Sequence, residues 1–227
     1  MSDMYEEVTG NNVNPFAGKC PIDCAYCYVQ LKLSKWPNTK EKYSGPVRLV
    51  HSELRKNYND GKTRFLCSCI DLFAPGIPPI DTQEVIDWAE KQKTTWIIQT
   101  KNPRHPIFQR LIKSRPENFK LGVTIESNLR FPEIMPNSHP KDRVFKGLDF
   151  VTIEPVMDFV PSELIRMITQ MAPKWVWIGA NSAHDKIQLL EPSADTISFL
   201  IKSLEAAGIE VRRKPNLKRL LGQEADV

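Results

Sequence analysis

Short apolar runs recur along the chain, and each is followed by a polar turn and an amphipathic stretch. The runs are residues 64–69, 95–100, 120–125, 150–153, 175–178 and 209–211. Such near-continuous apolar strands are typical of a parallel sheet that is buried on both faces. Strand and helix alternate about six times, which predicts an α/β fold with helices covering the sheet.

A full barrel of this kind needs eight strands, and the chain provides fewer. The pattern therefore predicts a partial, open (β/α)6-like parallel barrel. The 227 residues contain no internal repeat, low-complexity tract or linker. Residues 1–227 are accordingly expected to form a single domain.

Helix boundaries are predicted where capping residues, proline or glycine flank the amphipathic stretches. Ser193 before residues 194–207, with Gly208 after them, predicts a helix that is capped at both ends. Asp81 opens a capping-box pattern, and Ser162 is expected to cap a helix that ends at residue 171. The helix after Asp81 is expected to reach residue 92, and the other predicted helices are residues 106–114 and 138–145.

The first sixty residues have a weaker periodicity. We expect a strand at residues 6–13, a short helix at 28–33 and an exposed polar loop at 34–43. Ser44 and Pro46 then predict the start of a helix that continues to residue 58.

Charge and cysteine content narrow the function classes. The formal net charge of +4 is weak support for a polyanionic partner. No apolar run reaches the roughly 20 residues that cross a bilayer, and the polar N-terminus lacks a secretory signal, so no membrane association is expected. Five cysteines, an odd number, favour the reducing cytoplasm over a disulfide-stabilised secreted protein.

Three of these cysteines, Cys20, Cys24 and Cys27, have the spacing Cys-x3-Cys-x2-Cys. The same spacing would also place three core thiols on one face of a helix. The flanking Asn14-Pro15, Gly18 and Pro21 argue against a helix, because proline in a helix interior costs about 3 kcal/mol. A loop that turns repeatedly can instead wrap its thiolates around a metal centre.

Zinc and iron–sulfur centres both use thiolates. A structural zinc site is closed by four ligands, whereas the remaining cysteines, Cys67 and Cys69, lie about forty residues further along the chain. A 4Fe-4S cluster held by three cysteines keeps one iron open for an amino-acid chelate. The alternative is a non-catalytic zinc or iron–sulfur module that binds nucleic acid.

The three cysteines, with Tyr26 just before the last of them, resemble the signature of the radical S-adenosylmethionine enzymes. The resemblance implies the same partial barrel, a 4Fe-4S cluster on Cys20, Cys24 and Cys27, and S-adenosylmethionine chelated at the open iron. It also implies an external electron donor, a flavodoxin- or ferredoxin-like protein. Reduction would then cleave S-adenosylmethionine to methionine and a 5′-deoxyadenosyl radical.

A more specific resemblance covers nearly the whole chain and rests on several segments in order. They are Asn14-Pro15, Asp71-Leu-Phe, Thr100-Lys-Asn-Pro, residues 122–126, Ile153-Glu-Pro and Ile178-Gly. These segments resemble a phage and prokaryotic three-cysteine radical S-adenosylmethionine family whose substrate is not settled. A more distant similarity is to spore photoproduct lyase, which repairs DNA, so nucleic acid is one candidate substrate. The chain departs from the wider superfamily at residues 67–71, where Cys-Ser-Cys-Ile-Asp stands in place of Gly-Gly-Glu.

A parallel barrel places its reacting groups at the C-terminal ends of its strands. The polar residues at those ends are Asp71, Gln99 or Lys101, Glu126, Glu154 and Asn181.

These strand-end residues are candidates for binding S-adenosylmethionine. We expect Asp71 or Ser68 to accept from its ammonium group and Lys101 to meet its carboxylate. Glu126 or Glu154 would accept from the ribose hydroxyls, as acidic residues do in other nucleotide sites. The adenine would be flanked by Tyr26 and by the backbone around Asn181.

The two later cysteines are candidates for catalysis. Residues two apart on a strand point to the same side, so Phe65, Cys67 and Cys69 are expected to share one face, with Ser68 on the other. In the barrel lumen, Cys67 or Cys69 could return a hydrogen atom to a substrate radical, as a cysteine does in spore photoproduct lyase. The alternatives are a ligand of a second cluster, or packing as small buried residues.

Basic residues cluster near the C-terminus at 212–214 and 218–219. We expect them to form a solvated face, or to contact nucleic acid if they bind phosphate. Trp175 and Trp177 alternate on a strand and are expected to pack on one face of the sheet.

Overall fold

The computed structural model describes residues 7–222. Its strands are β1 (Phe16–Ala17), β2 (Arg48–Leu49), β3 (Thr63–Leu66), β4 (Thr95–Thr100), β5 (Phe119–Thr124), β6 (Phe150–Ile153), β7 (Trp175–Ile178) and β8 (Glu210–Arg213). Its helices are α1 (Tyr28–Leu31), α2 (Pro37–Lys42), α3 (Pro79–Glu90), α4 (Pro106–Lys113), α5 (Pro161–Met171), α6 (Ala194–Ala206) and α7 (Lys218–Leu221).

Six of the strands form one parallel sheet in chain order, from β3 to β8. This order leaves β3 and β8 as the two edges, so the sheet is a partial, open barrel, as the sequence predicted. The short strands β1 and β2 form a separate antiparallel pair. No helix within residues 7–222 is both long enough and apolar enough to span a bilayer.

Alternation along the strands divides the core into two layers. On β6 and β7, Val151, Ile153, Val176 and Ile178 belong to the large cluster that packs against the helices. The intervening aromatic side chains belong to a smaller cluster, in which Phe150 and Trp177 join residues of β3 and β4. Burial of each such side chain contributes on the order of 2–3 kcal/mol.

The smaller cluster fills the lower part of the barrel. Phe150 stacks on Trp175 with ring centres 5.6 Å apart. A Cβ atom at Gly122 would lie 2.2 Å from the Phe150 ring, so only glycine leaves room for it. Above this layer, the Thr152 hydroxyl donates to Gln99 Oε1 at 3.0 Å, which begins the polar upper part of the lumen.

The predicted strands of the barrel are confirmed, three of them at the predicted bounds: β4, β6 and β7. Two helices begin at residues other than the predicted ones, because a proline occupies their first position. Helices α3 and α5 begin at Pro79 and Pro161, and neither Asp81 nor Ser162 caps them. Proline favours the first helical position, because its missing N–H is not needed there. Ser193 does cap α6 by accepting from the Thr196 N–H.

The expectations for residues 34–58 were wrong. The predicted loop contains α2, and the predicted helix is replaced by β2 and a 3-10 turn at Glu53–Arg55. Gly45 has a φ of +70°, which a helix cannot accommodate. Leu49 pairs with Phe16 across the β1–β2 ladder, so tertiary pairing outweighs the local cap signal.

The predicted first strand is reduced to a single bridge. Val13 pairs in parallel with Leu66, and its N–H donates to the Phe65 carbonyl at 2.9 Å. The start of that prediction, at residue 6, lies outside the described residues. The chain between Val13 and β1 then leads directly into the cysteine loop, defined here as residues 20–27.

Candidate active site

A cavity of about 430 Å³ opens at the C-terminal edge of the sheet. Its walls come from residues in or directly after all six strands of the barrel, together with the cysteine loop. The sequence-predicted residues that line it are Cys20, Cys24, Tyr26, Cys27, Cys67, Ser68, Cys69, Asp71, Lys101, Glu154 and Asn181. Glu126 is not among the lining residues, and its side chain is fully buried. The volume is in the usual range for small-molecule sites.

The cysteine loop is a series of turns, as its prolines and glycine predicted. The Asp23 N–H donates to the Cys20 carbonyl, and the Cys27 N–H donates to the Cys24 carbonyl, at 3.2 and 3.0 Å. Asp23 adopts a left-handed conformation with φ of 55°. These turns direct the three thiols into the same cavity rather than along one helix face.

The three cysteines of this loop all line the cavity, and burial changes the pKa of two of them. Burial, reinforced by Asp71, raises the pKa of Cys20 to about 12, and burial also raises the pKa of Cys24. Deprotonation at this site therefore needs a cationic partner, which a bound metal centre supplies. The Asp71 N–H lies 3.5 Å from Cys20 Sγ, and hydrogen bonds of this kind tune iron–sulfur centres. The donor set thus fits a cluster held by thiolates.

Across residues 7–222, no three His, Cys, Asp or Glu side chains converge closely enough to hold one metal ion.

Asp71 links the cysteine side of the cavity to the end of β4. Its Oδ1 accepts from the Thr100 hydroxyl at 2.8 Å and from the Phe73 N–H at 3.0 Å. Its Oδ2 accepts from the Lys101 N–H at 2.7 Å. Because a carboxylate offers about four lone-pair positions, Oδ2 retains capacity for one further donor from the cavity.

A buried network ties the cysteine loop to the end of β5. The Tyr26 hydroxyl donates to Glu126 Oε1, and Arg143 Nη1 donates to Glu126 Oε2. Arg143 also donates to the Thr124 carbonyl and to the Ser138 hydroxyl, both at 2.9 Å. Neither Arg143 nor Glu126 has any exposed side-chain surface. Because Glu126 is fully buried and does not line the cavity, a ribose contact would require these side chains to move apart.

Lys101 connects this network to the cavity. Its Nζ lies 3.7 Å from Glu126 Oε1 and 5.7 Å from the centre of the Tyr26 ring. Burial raises the pKa of Glu126, but the positive charges of Arg143 and Lys101 lower it more, so the net shift is downward. The Lys101 side chain is 19% exposed and lines the cavity, which leaves it accessible to an anionic group.

The opposite wall carries a second ion pair. Lys214, after β8, donates to Glu154 Oε2, after β6, and the Lys214 side chain is only 4% exposed. A Cβ atom at Gly179 would lie 2.8 Å from Lys214 Cδ and 2.9 Å from Glu154 Oε1. Any side chain at position 179, directly after β7, would therefore collide with this ion pair.

Asn181 supports the same wall mainly through its loop. Its Nδ2 donates to the Ile187 carbonyl and its Oδ1 accepts from the Ala183 N–H, both at 2.9 Å. Asn216 holds Ala180 in a similar way, since its Nδ2 donates to the Ala180 carbonyl at 2.8 Å. The backbone at 180–182 is thereby held against the cavity.

The expected strand alternation at residues 67–69 was wrong. Strand β3 ends at Leu66, because Cys67 adopts a left-handed conformation with φ of 61°. Cys67, Ser68 and Cys69 all line the cavity as a result. Tyr28 lies beside them, with its hydroxyl 3.5 Å from Cys69 Sγ and donating to the Ser68 carbonyl at 3.2 Å. A non-glycine residue in this strained conformation is a recurrent feature of functional sites.

The expectation of a solvated C-terminal basic face was wrong for two of its five residues, Arg212 and Lys214. Arg212 lies over the Trp175 ring, 4.5 Å from its centre, and Arg219 pairs with Glu191 at 2.5 Å. Lys214 is buried in the cavity wall, whereas Arg213, Lys218 and Arg219 are exposed.

Sequence reasoning missed several residues of the site: Asn14 as a hydrogen-bond partner, Tyr28, Arg143 and Lys214. The sequence around Arg143 does not indicate that this residue is buried, because its burial depends on a distant loop that packs against the end of β5. Asn14 belongs to one of the segments that resemble the three-cysteine family, and its Oδ1 accepts from the Cys69 N–H at 2.9 Å. Lys214 was hidden within a run of basic residues.

Comparison with known proteins gives a family and a fold. Residues 6–197 match the family described as "Protein of unknown function (DUF5131)". No curated protein matches the chain in sequence. A cysteine-to-serine mutant of spore photoproduct lyase is similar in structure, with a TM-score of 0.58 and 12% identity, over 89% of this chain and 76% of the other. A double mutant of that lyase with bound AdoMet and dinucleoside spore photoproduct gives a TM-score of 0.50 and 12% identity, over 86% and 60%.

Proposed function

This chain belongs to the DUF5131 family of proteins of unknown function, and we propose that it is a radical S-adenosylmethionine enzyme. One observation carries the proposal: three thiols on a turn-rich loop line one cavity with the polar strand ends of a partial parallel barrel. The similarity of fold to spore photoproduct lyase, whose double mutant was solved with bound AdoMet, supports it.

In this proposal Cys20, Cys24 and Cys27 hold a 4Fe-4S cluster. When bound and reduced, such a cluster supplies an open iron at which one electron cleaves S-adenosylmethionine to methionine and a 5′-deoxyadenosyl radical. The protein binds and orients the sulfonium and keeps water away, and the hard chemistry belongs to the cofactor. We propose the reducing cytoplasm as its location, because the cysteines serve here as ligands and thiols rather than as disulfides.

The cofactor contacts divide between the two walls of the cavity. Asp71, with one lone-pair position left on Oδ2, or Ser68 accepts from the ammonium group. Lys101 meets the carboxylate with its partly exposed ammonium. On the opposite wall Glu154 accepts from the ribose hydroxyls, and the adenine lies between the Tyr26 ring and the backbone at Asn181.

Glu126 has a different role in this proposal from the one its position at a strand end suggested. Its two oxygens hold Tyr26 and Arg143, so we assign it to positioning the cysteine loop rather than to direct contact with ribose. The same bond fixes the Tyr26 ring at the cavity wall.

Cys67 and Cys69 are the proposed hydrogen-atom donors to a substrate radical. Both line the cavity, and burial raises the pKa of Cys67 well above its ordinary value, which keeps that residue a neutral thiol. A neutral S–H is the form that gives up a hydrogen atom. We propose nucleic acid as one candidate class for the substrate that receives the hydrogen atom.

The direct test is anaerobic reconstitution with iron and sulfide, followed by metal analysis and chromatography. The protein should bind about four irons, as a 4Fe-4S cluster requires. With dithionite and S-adenosylmethionine it should release 5′-deoxyadenosine. Alanine at Cys20, Cys24 or Cys27 should abolish both results, whereas stoichiometric zinc without iron uptake would favour the non-catalytic alternative.

A further inference from the structure

A basic surface segment follows the cysteine loop. Residues 30–48 contain five Lys and Arg and one Glu, a net charge of +4. We name this segment the lysine face, and its basic residues are Lys32, Lys35, Lys40, Lys42 and Arg48.

The lysine face carries an exposed aromatic side chain. Trp36 is 59% exposed at the start of α2, and the Lys35 ammonium lies 5.4 Å from the centre of its ring. Lys32 has an acidic partner, Asp185, at 3.4 Å. Lys35, Lys40 and Arg48 are exposed, and no carboxylate among residues 7–222 lies within ion-pair distance of them, so their charges face solvent.

The same segment is joined to both ends of the cysteine loop. After Cys27, the chain enters α1, and the Leu31 N–H donates to the Cys27 carbonyl at 2.9 Å. Before Cys20, the Gly18 N–H donates to the Lys42 carbonyl at 2.7 Å, and the Lys19 N–H donates to the Gly45 carbonyl at 2.9 Å. A molecule bound on the lysine face would therefore lie next to the loop that holds the three thiols.

We propose that the lysine face docks an acidic electron-transfer protein of the flavodoxin or ferredoxin kind. This inference rests on the proposed function, because a cluster that cleaves S-adenosylmethionine must receive one electron from outside. Electron transfer needs the donor close to the cluster, and the face adjoins the cluster loop. Opposite charges speed the encounter of two such proteins and set their orientation.

The composition of the face favours a protein over a nucleic acid. Single-stranded nucleic acids are held by successive aromatic rings on which neighbouring bases stack. The lysine face offers one exposed ring, since the other aromatic residue of the segment, Tyr43, is buried. One exposed tryptophan within a charged rim is instead the usual arrangement of a protein-binding surface.

The test uses the full chain with its reconstituted cluster and a bacterial flavodoxin as the probe. The variant Lys35→Glu/Lys40→Glu reverses two exposed charges, and Lys113→Glu/Lys202→Glu is the matched control on the outer faces of α4 and α6. We expect kcat/KM for reduced flavodoxin to fall about tenfold at low ionic strength in the first variant and not in the control. The rate with dithionite, a small reductant that needs no docking surface, should be the same in all proteins. Calorimetric affinity for flavodoxin should fall in parallel with kcat/KM.

The outcomes separate the two proposals. Absence of 5′-deoxyadenosine with dithionite in the wild type refutes the proposed function, while the calorimetric affinity still tests the docking face. The docking proposal is overturned if Lys35→Glu/Lys40→Glu has the same affinity for flavodoxin and the same kcat/KM as the wild type. Loss of affinity for a single-stranded oligonucleotide with unchanged flavodoxin kinetics would also overturn it and make the face a nucleic-acid site.

Discussion

Replacement of Glu126 by alanine should lower the free energy of unfolding by about 3–5 kcal/mol, because it leaves the buried charge of Arg143 without its partner. Neither side chain of the pair has exposed surface. Arg143 keeps acceptors at the Thr124 carbonyl and the Ser138 hydroxyl, each at 2.9 Å, which places the expected loss near the lower end of that range. Urea denaturation of the metal-free protein measures the change.

The same substitution should loosen the cysteine loop. Tyr26 loses the acceptor of its hydroxyl, and Tyr26 stands between Cys24 and Cys27. We therefore expect Glu126→Ala to retain less iron than the wild type after reconstitution, while Glu126→Gln, which keeps an acceptor, should retain more iron than Glu126→Ala. This rescue would not follow if Glu126 only contributed to global stability through its charge.

The pH dependence follows from the sign of the Glu126 pKa shift. The pKa is lowered in the folded protein, because Arg143 and Lys101 outweigh the effect of burial. Its stabilising contribution is therefore complete above the unfolded-state pKa of about 4.3 and is lost as the pH falls through the lower, folded-state pKa. The stability difference between wild type and Glu126→Gln should be constant from about pH 6 to 8 and shrink below about pH 4.

An exposed ion pair in the same region provides the control. Asp142 pairs with Arg104 at 3.4 Å, and both side chains are more than half exposed. Asp142→Ala should cost at most about 1 kcal/mol. In the double variant Glu126→Ala/Arg143→Met, the loss should be smaller than the sum of the single losses by about 1–3 kcal/mol. A Glu126→Ala loss equal to that of Asp142→Ala, or strict additivity, would refute the reasoning.

Three further predictions address the cavity. Asp71→Ala should weaken S-adenosylmethionine binding in calorimetry while iron content is kept; unchanged affinity would remove Asp71 from the cofactor site. Cys67→Ala and Cys69→Ala should keep the cluster and 5′-deoxyadenosine release but stall or misdirect the substrate radical. Loss of iron in either would make that cysteine a ligand, and wild-type product in both would leave only packing. Gly179→Ala should destabilise the protein by about 1–3 kcal/mol, because the new Cβ would lie 2.8 Å from Lys214 Cδ. A urea midpoint equal to that of the wild type would show that Lys214 can shift to make room for the methyl group.

The sequence by itself was sufficient to predict the barrel and most of the residues that line the cavity. Buried parallel strands are nearly continuous apolar runs, so strands such as Thr95–Thr100 and Trp175–Ile178 can be recognised without any knowledge of their partners. Once the strands are parallel, their C-terminal ends meet at one edge. This geometric necessity brings Asp71, Lys101 and Glu154 to the same cavity although they are far apart in the chain.

Only the tertiary structure decided what those polar groups do. Glu126 was grouped with the cofactor ligands because it follows a strand, but Tyr26, a hundred residues earlier in the chain, donates to it, and Arg143 neutralises it. Lys214 looked like part of a solvated run and is buried against Glu154, sixty residues away. Local pattern reports the preference of a backbone segment, whereas the partner of a buried charge depends on how distant loops close over it. For that reason the chain alone predicted which residues gather at the mouth of the barrel, and the fold determined which of them remain accessible to a ligand.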